Sequence, residues 1–137
     1  KGKVKQVIMD PAFIAGVVKS THKLRGNMPP FLGNETEAKA IADHLYEQLD
    51  HRPLSRIYGL SGVELGKKAY EIRCGRCHVI GGFNDKSETI AGASDDDYAN
   101  LRSSSGELDE FMPGYTGSDE DWNAMVEYLK TLTPGGK

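Results

Sequence analysis

The sequence predicts an all-α fold, and three observations carry that prediction. Apolar residues recur at helical spacing in several segments, capping residues stand where those segments begin, and the period-two alternation of strands is weak throughout. The 137 residues, 38% hydrophobic and 27% charged, suit one globular domain or two small lobes, and argue against disorder.

The first helix is expected over 10–19 (DPAFIAGVVK), with Asp10 as cap and Pro11 at its first position. A second follows over about 35–49. Asn34 caps it, Glu37 completes a capping box, and Ala38, Ile41, Ala42, Leu45 and Leu49 form its apolar stripe. The stretch DHRPLSRIYG (50–59) reads as a connector. A third helix is expected from Ser61, with Glu64 completing a capping box, running into Cys74. A short helix over 95–102 opens with Asp95, Asp96 and Asp97, where the helix dipole favours negative charge. The last spans about 119–132, capped by Ser118, with Trp122, Met125, Val126 and Leu129 as its buried stripe. Between them, 103–117 has turn composition and no period.

The charge is uneven. From 1 to 77, 13 Lys/Arg stand against 8 Asp/Glu; from 78 to 137, 4 stand against 12. Neither half has the dense basic, aromatic-laced surface of a nucleic-acid binder. Such a dipole suits orientation against another protein, and a solvated acidic face explains it equally well. The longest apolar runs, such as FIAGVV (13–18), are too short to cross a bilayer, so no membrane insertion is expected.

There is an internal repeat. MPPFLGNETEAKAIADHL (28–45) aligns without a gap on MPGYTGSDEDWNAMVEYL (112–129), at an offset of 84. Met28/Met112, Pro29/Pro113, Gly33/Gly117, Ala40/Ala124 and Leu45/Leu129 are identical, and the same offset lays the first helix over the 95–102 helix.

Both cysteines of the chain lie in CGRCH (74–78). Three chemistries compete for Cys74, Cys77 and His78. A structural zinc site wants four Cys or His ligands, and His22, His44 and His51 stand at no zinc-like spacing. A thioredoxin-like dithiol wants a strand before the motif and a helix after it, the reverse of the order here. Covalent attachment of a c-type haem needs Cys-x-x-Cys-His as it stands. On a helical turn, i, i+3 and i+4 share one face, so two sulfurs can bond the vinyl-derived carbons while the imidazole reaches iron. The sixth ligand expected is Met112, in a loop methionine–proline pair (FMPGYTG) outside any periodic stripe; an open or His-ligated site is the alternative. Met125 belongs to a stripe and is expected to pack. A neutral thioether raises the potential relative to two histidines.

From these residues onward the sequence resembles class I c-type cytochromes. Gly66, Tyr70 and Cys74 stand four apart, as in that family's Gly-xxx-aromatic-xxx-Cys helix, and Met125-x-x-Tyr128-Leu129 matches its last-helix pattern. The resemblance covers about 60–133. It implies that Gly66 lets two helices cross closely while Tyr70 and Tyr128 pack around the contact. Two departures stand out. No proline follows the motif, so either a backbone carbonyl between Val79 and Phe83 takes the ring N–H of His78 instead or the imidazole is held differently. The 34 residues from His78 to Met112 are few for the family, implying a compact loop and a more exposed haem.

The resulting expectation is a haem-free helical lobe over 1–52, resembling the back half of a cytochrome c domain, and a haem domain over 53–137. Six residues from His22 to Met28 cannot pass around a haem, and no cysteine precedes them in the lobe. The function implied is electron transfer by one covalent haem c, not enzymatic, in a monomer facing redox partner proteins such as other cytochromes or a membrane oxidoreductase. Haem attachment of this kind implies the periplasm, with a signal peptide removed; more narrowly, the chain resembles monohaem periplasmic cytochromes of electrode-respiring bacteria. The competing readings are a haem enzyme or gas sensor with a displaceable sixth ligand, and a piece of a larger multihaem assembly.

Overall fold

A computed structural model describes residues 10–24, 26–108, 112 and 114–133; Met9 and Pro113 lie outside the described residues. The chain divides into two compact units, Lys1–Asp50 and His51–Lys137. Both are helical; among the described residues there is no strand, and no helix is long and apolar enough to cross a membrane.

In the first unit, α1 (Pro11–Lys19) starts where the sequence places it, with the Asp10 carboxylate accepting from the Phe13 N–H at 2.7 Å. A short α2 (Thr21–Leu24), absent from the sequence expectation, follows directly. The capping box of α3 (Glu35–Glu47) forms in full: Asn34 Oδ1 accepts from Glu37 N–H at 3.0 Å, and the Glu37 carboxylate from Asn34 N–H at 2.8 Å. Lys19 bridges to Glu35 at 2.7 Å, tying α1 to α3. The stripe of α3 is only partly covered. Ala38 and Ala42 are buried, whereas Ile41 and Leu45 remain 40% and 45% exposed.

The second unit adds α4 (Leu54–Tyr58), α5 (Gly62–Arg73), α6 (Ser87–Ala91), α7 (Asp95–Ser104), a 3-10 turn (Ser105–Glu107) and α8 (Asp119–Lys130). The connector at 50–59 thus contains a helix, because Leu54 is buried and anchors it; Gly59 ends it in the left-handed conformation. The capping box expected at Ser61 does not form. Gly62 takes φ +54°, which turns the chain so that the Ser61 hydroxyl makes no cap bond. By contrast α7 has a full box between Ser94 and Asp97.

The core is the crossing of α5 on α8. Leu65, Ala69, Ile72, Met125 and Leu129 are buried there. Gly66 sits against the Ala124 carbonyl, where any Cβ would collide, and Tyr70 and Tyr128 flank the crossing with ring centroids 6.0 Å apart. The close approach expected of Gly66 is therefore present. Lys130 reaches Asp95 at 2.6 Å and Arg102 pairs with Asp119, fastening α7 to α8. Tyr98 donates to the Ile90 carbonyl at 2.9 Å, holding α6 beside α7.

Candidate haem-attachment site

The motif occupies the turn in which α5 ends. Cys77 N–H and His78 N–H both bond the Cys74 carbonyl, at 3.1 and 2.8 Å, so the two sulfurs and the imidazole leave one turn of chain. Arg73, just before it, is fixed to Asp121 of α8 at 3.2 Å, with both side chains buried. The residue just before the motif is thereby held to the second core helix.

Cys74 is partly buried, its sulfur 4.0 Å from that of Met125, and Cys77 is exposed. Met125 packs in the core, as its place in the stripe predicts. Burial pushes the Cys74 thiol up to about 11, only partly offset by the Arg73 charge beside it. A resting thiol of that kind is a poor nucleophile, which disfavours dithiol exchange. Among the described residues no three His, Cys, Asp or Glu side chains converge to hold a metal ion by themselves.

The imidazole of His78 shows what the site can do. Its Nδ1 lies 3.1 Å from the backbone carbonyl of Asn84. A carbonyl can only accept, so Nδ1 carries the proton and Nε2 keeps its lone pair for a metal. The acceptor is one residue beyond the Val79–Phe83 window expected from the sequence. Asn84 reaches it by adopting φ +48°, the one left-handed non-glycine residue among those described. On the other side, the Tyr70 hydroxyl donates to the His78 carbonyl at 2.7 Å.

These features fit a haem: two sulfurs and an Nε2 donor on one turn, followed by apolar side chains without protein cover. Phe83 is 78% exposed and Val79 43%. Met112 lies partly buried in the irregular stretch six residues ahead of the Ser118 cap. No described hydrogen bond or ring contact joins it to Cys74, Cys77 or His78. His22 and His44 belong to the first unit and His51 begins the second.

Sequence spacing does not announce an aromatic and charged cluster around Tyr115. Tyr115 stands edge-on to Trp122 with centroids 4.7 Å apart, the Arg73 guanidinium lies 5.3 Å from the Tyr115 ring, and Arg102 lies 5.8 Å from both rings. Burial pushes the Tyr115 hydroxyl up to about 12. The only sequence signal was Gly117, which leaves room for Tyr115 and Arg73 that a Cβ would fill.

Residues 62–129 match the family model described as "Cytochrome C oxidase, cbb3-type, subunit III". The match opens with the first residue of α5 and closes within α8, spanning the motif, the Met112 stretch and the helix crossing. No curated protein and no solved structure matches the chain. A c-type cytochrome domain implies covalently bound haem c, electron transfer and redox partners. Over residues 62–129 the chain is thus similar to c-type cytochrome domains.

Proposed function

We propose that this protein is a periplasmic monohaem electron carrier, with thioether bonds at Cys74 and Cys77, His78 and Met112 as axial ligands, and a haem-free first unit. When bound, the haem supplies a one-electron couple. The chain's own residues do the rest. Cys74 and Cys77 would tether the haem, Tyr70 and Asn84 fix the backbone and ring of His78, and Met112 would supply the thioether that keeps substrates from the iron.

One observation carries this reading: on the Cys74–His78 turn, the Asn84 carbonyl holds the Nδ1 proton and leaves Nε2 to bind iron. Support for Met112 is its place in a loop outside every helical stripe and its partial burial. The first unit supports the haem-free assignment through its helix starts. At the offset of 84, Asp10 and Pro11 fall on Ser94 and Asp95, and Asn34 and Glu35 on Ser118 and Asp119, each pair a cap and a first helical residue. The unit thus repeats the cap-and-helix frame around Met112 but has no cysteine.

The test is the spectrum of the ferric protein. A weak far-red band of Met–Fe(III) ligation is expected, and Met112→Ala should abolish it. A band that survives the substitution, or rapid binding of carbon monoxide to the unaltered ferrous protein, overturns the Met112 assignment. Iron stoichiometry with intact mass tests the single haem.

A further inference from the structure

The loop after the motif, VIGGFNDKS (79–87), has no proline to present a carbonyl to His78. It closes on itself: Val79 N–H bonds the Phe83 carbonyl at 3.0 Å and Gly82 N–H bonds the Val79 carbonyl at 2.9 Å. Gly81 takes φ +72° at no steric cost. Asn84, at φ +48°, takes the same region with a side chain present, which L residues resist, asparagine less than most. That conformation needs support from outside the residue. It also aims the Asn84 carbonyl at His78 Nδ1.

The support is one carboxylate. Asp85 Oδ2 accepts from the Gly81 N–H at 2.6 Å, and Oδ1 accepts from the Ser87 N–H at 2.7 Å. The peptide joining Asn84 to Asp85 carries the oxygen that faces His78. Its nitrogen end belongs to the residue whose side chain grips the chain on both sides of it.

We infer that Asp85 is a positioning residue for His78, holding the Asn84 carbonyl on Nδ1 through its paired grip on Gly81 and Ser87. This rests on the reading of His78 as an iron ligand. The two donated N–H groups also hold the Asp85 carboxyl below the usual carboxylate range, so the grip persists at neutral pH. The consequence is electronic. A firmly held Nδ1–H···O bond makes the imidazole more basic, favours ferric iron and lowers the potential. Asp85 in this loop does the work that a rigid ring does where proline follows the motif.

The test uses the haem-loaded protein, with Asp85→Ala and Asp85→Asn. Two quantities are read: the reduction potential, and the exchange rate of the His78 ring N–H by NMR of the ferrous form. Asp85→Ala loses both acceptors; its potential should rise and its ring N–H exchange about tenfold faster, as for loss of one ordinary hydrogen bond. Asp85→Asn keeps one acceptor oxygen and should fall between. Parent values of both quantities in Asp85→Ala overturn the inference. If that variant does not fold, parent values in Asp85→Asn overturn it equally. In the unaltered protein, His78 ring protons without the large upfield shift of a haem-bound imidazole would overturn the ligand assignment, and the inference with it.

Discussion

Gly66 on α5 lies directly against the backbone carbonyl of Ala124 on α8, and the Tyr128 Cβ closes the same space. Two effects oppose each other at this position. An alanine would favour helix by about 1 kcal/mol. Its methyl would also push apart two helices whose contact is backbone against backbone, where no flexible side chain can yield. Overfilling of this kind costs about 3 kcal/mol at the upper end, so the collision wins. Gly66→Ala should lower the thermal midpoint by roughly 10 °C, at about 5 °C per kcal/mol for a unit of this size. A midpoint equal to the parent's would mean that the helices separate freely.

Arg73 and Asp121 form a buried ion pair beside the motif, with Asp121 almost fully enclosed. Removing one partner strands the other's charge in the interior. Arg73→Ala and Asp121→Ala should each cost about 3–5 kcal/mol in urea unfolding, whereas the double change Arg73→Met, Asp121→Leu should recover much of that loss. Single variants as stable as the parent would show that water reaches the pair.

The Tyr70 hydroxyl bonds the His78 carbonyl at 2.7 Å, across eight residues of chain. Tyr70→Phe keeps the ring against Tyr128 and deletes only that bond, at a cost of about 1 kcal/mol. The carbonyl is then left without its donor on a turn that carries the proposed iron ligand. Faster exchange of amides in the 78–82 turn, with those of α8 unchanged, is the expected hydrogen-exchange pattern. Uniform acceleration through both helices would point instead to a loss of core packing.

Helix existence was legible because it is local. Caps such as Asn34 and Ser118, and the stripe of α8, need only neighbours along the chain. The Gly66 crossing was legible too, since a glycine inside a helix has few other uses. Short helices escaped detection: α4, α6 and α2 have too few turns to show a period, and Leu54 buries through tertiary contact alone. The absent cap bond at Ser61 accompanies the positive φ of Gly62, and composition does not report φ. Within the site, the motif could be read directly, but its supports could not. Asn84 and Asp85 act through a carbonyl direction and a loop closure, and both exist only once residues 79–87 fold back.

Stability should fall on both sides of neutrality, for different groups. Asp97 is held below the ordinary carboxylate range by its bonds to Ser94, as Asp85 is by Ser87 and Gly81. Their contribution is present above about pH 4, where the unfolded carboxyls are already ionised, and is lost as pH falls through the lowered values. Tyr70 and Tyr115 behave in the opposite sense. Burial raises both to about 12, so the unfolded chain loses its tyrosine protons first, from about pH 10. Their contribution is intact below that and disappears as pH rises toward 12. Urea midpoints measured across this range should form a plateau between about pH 5 and 9, with a decline at each end. The Tyr70→Phe, Tyr115→Phe pair should start lower but decline less above pH 10. An alkaline decline as steep as the parent's would assign it to other groups, since a phenylalanine has no proton to lose.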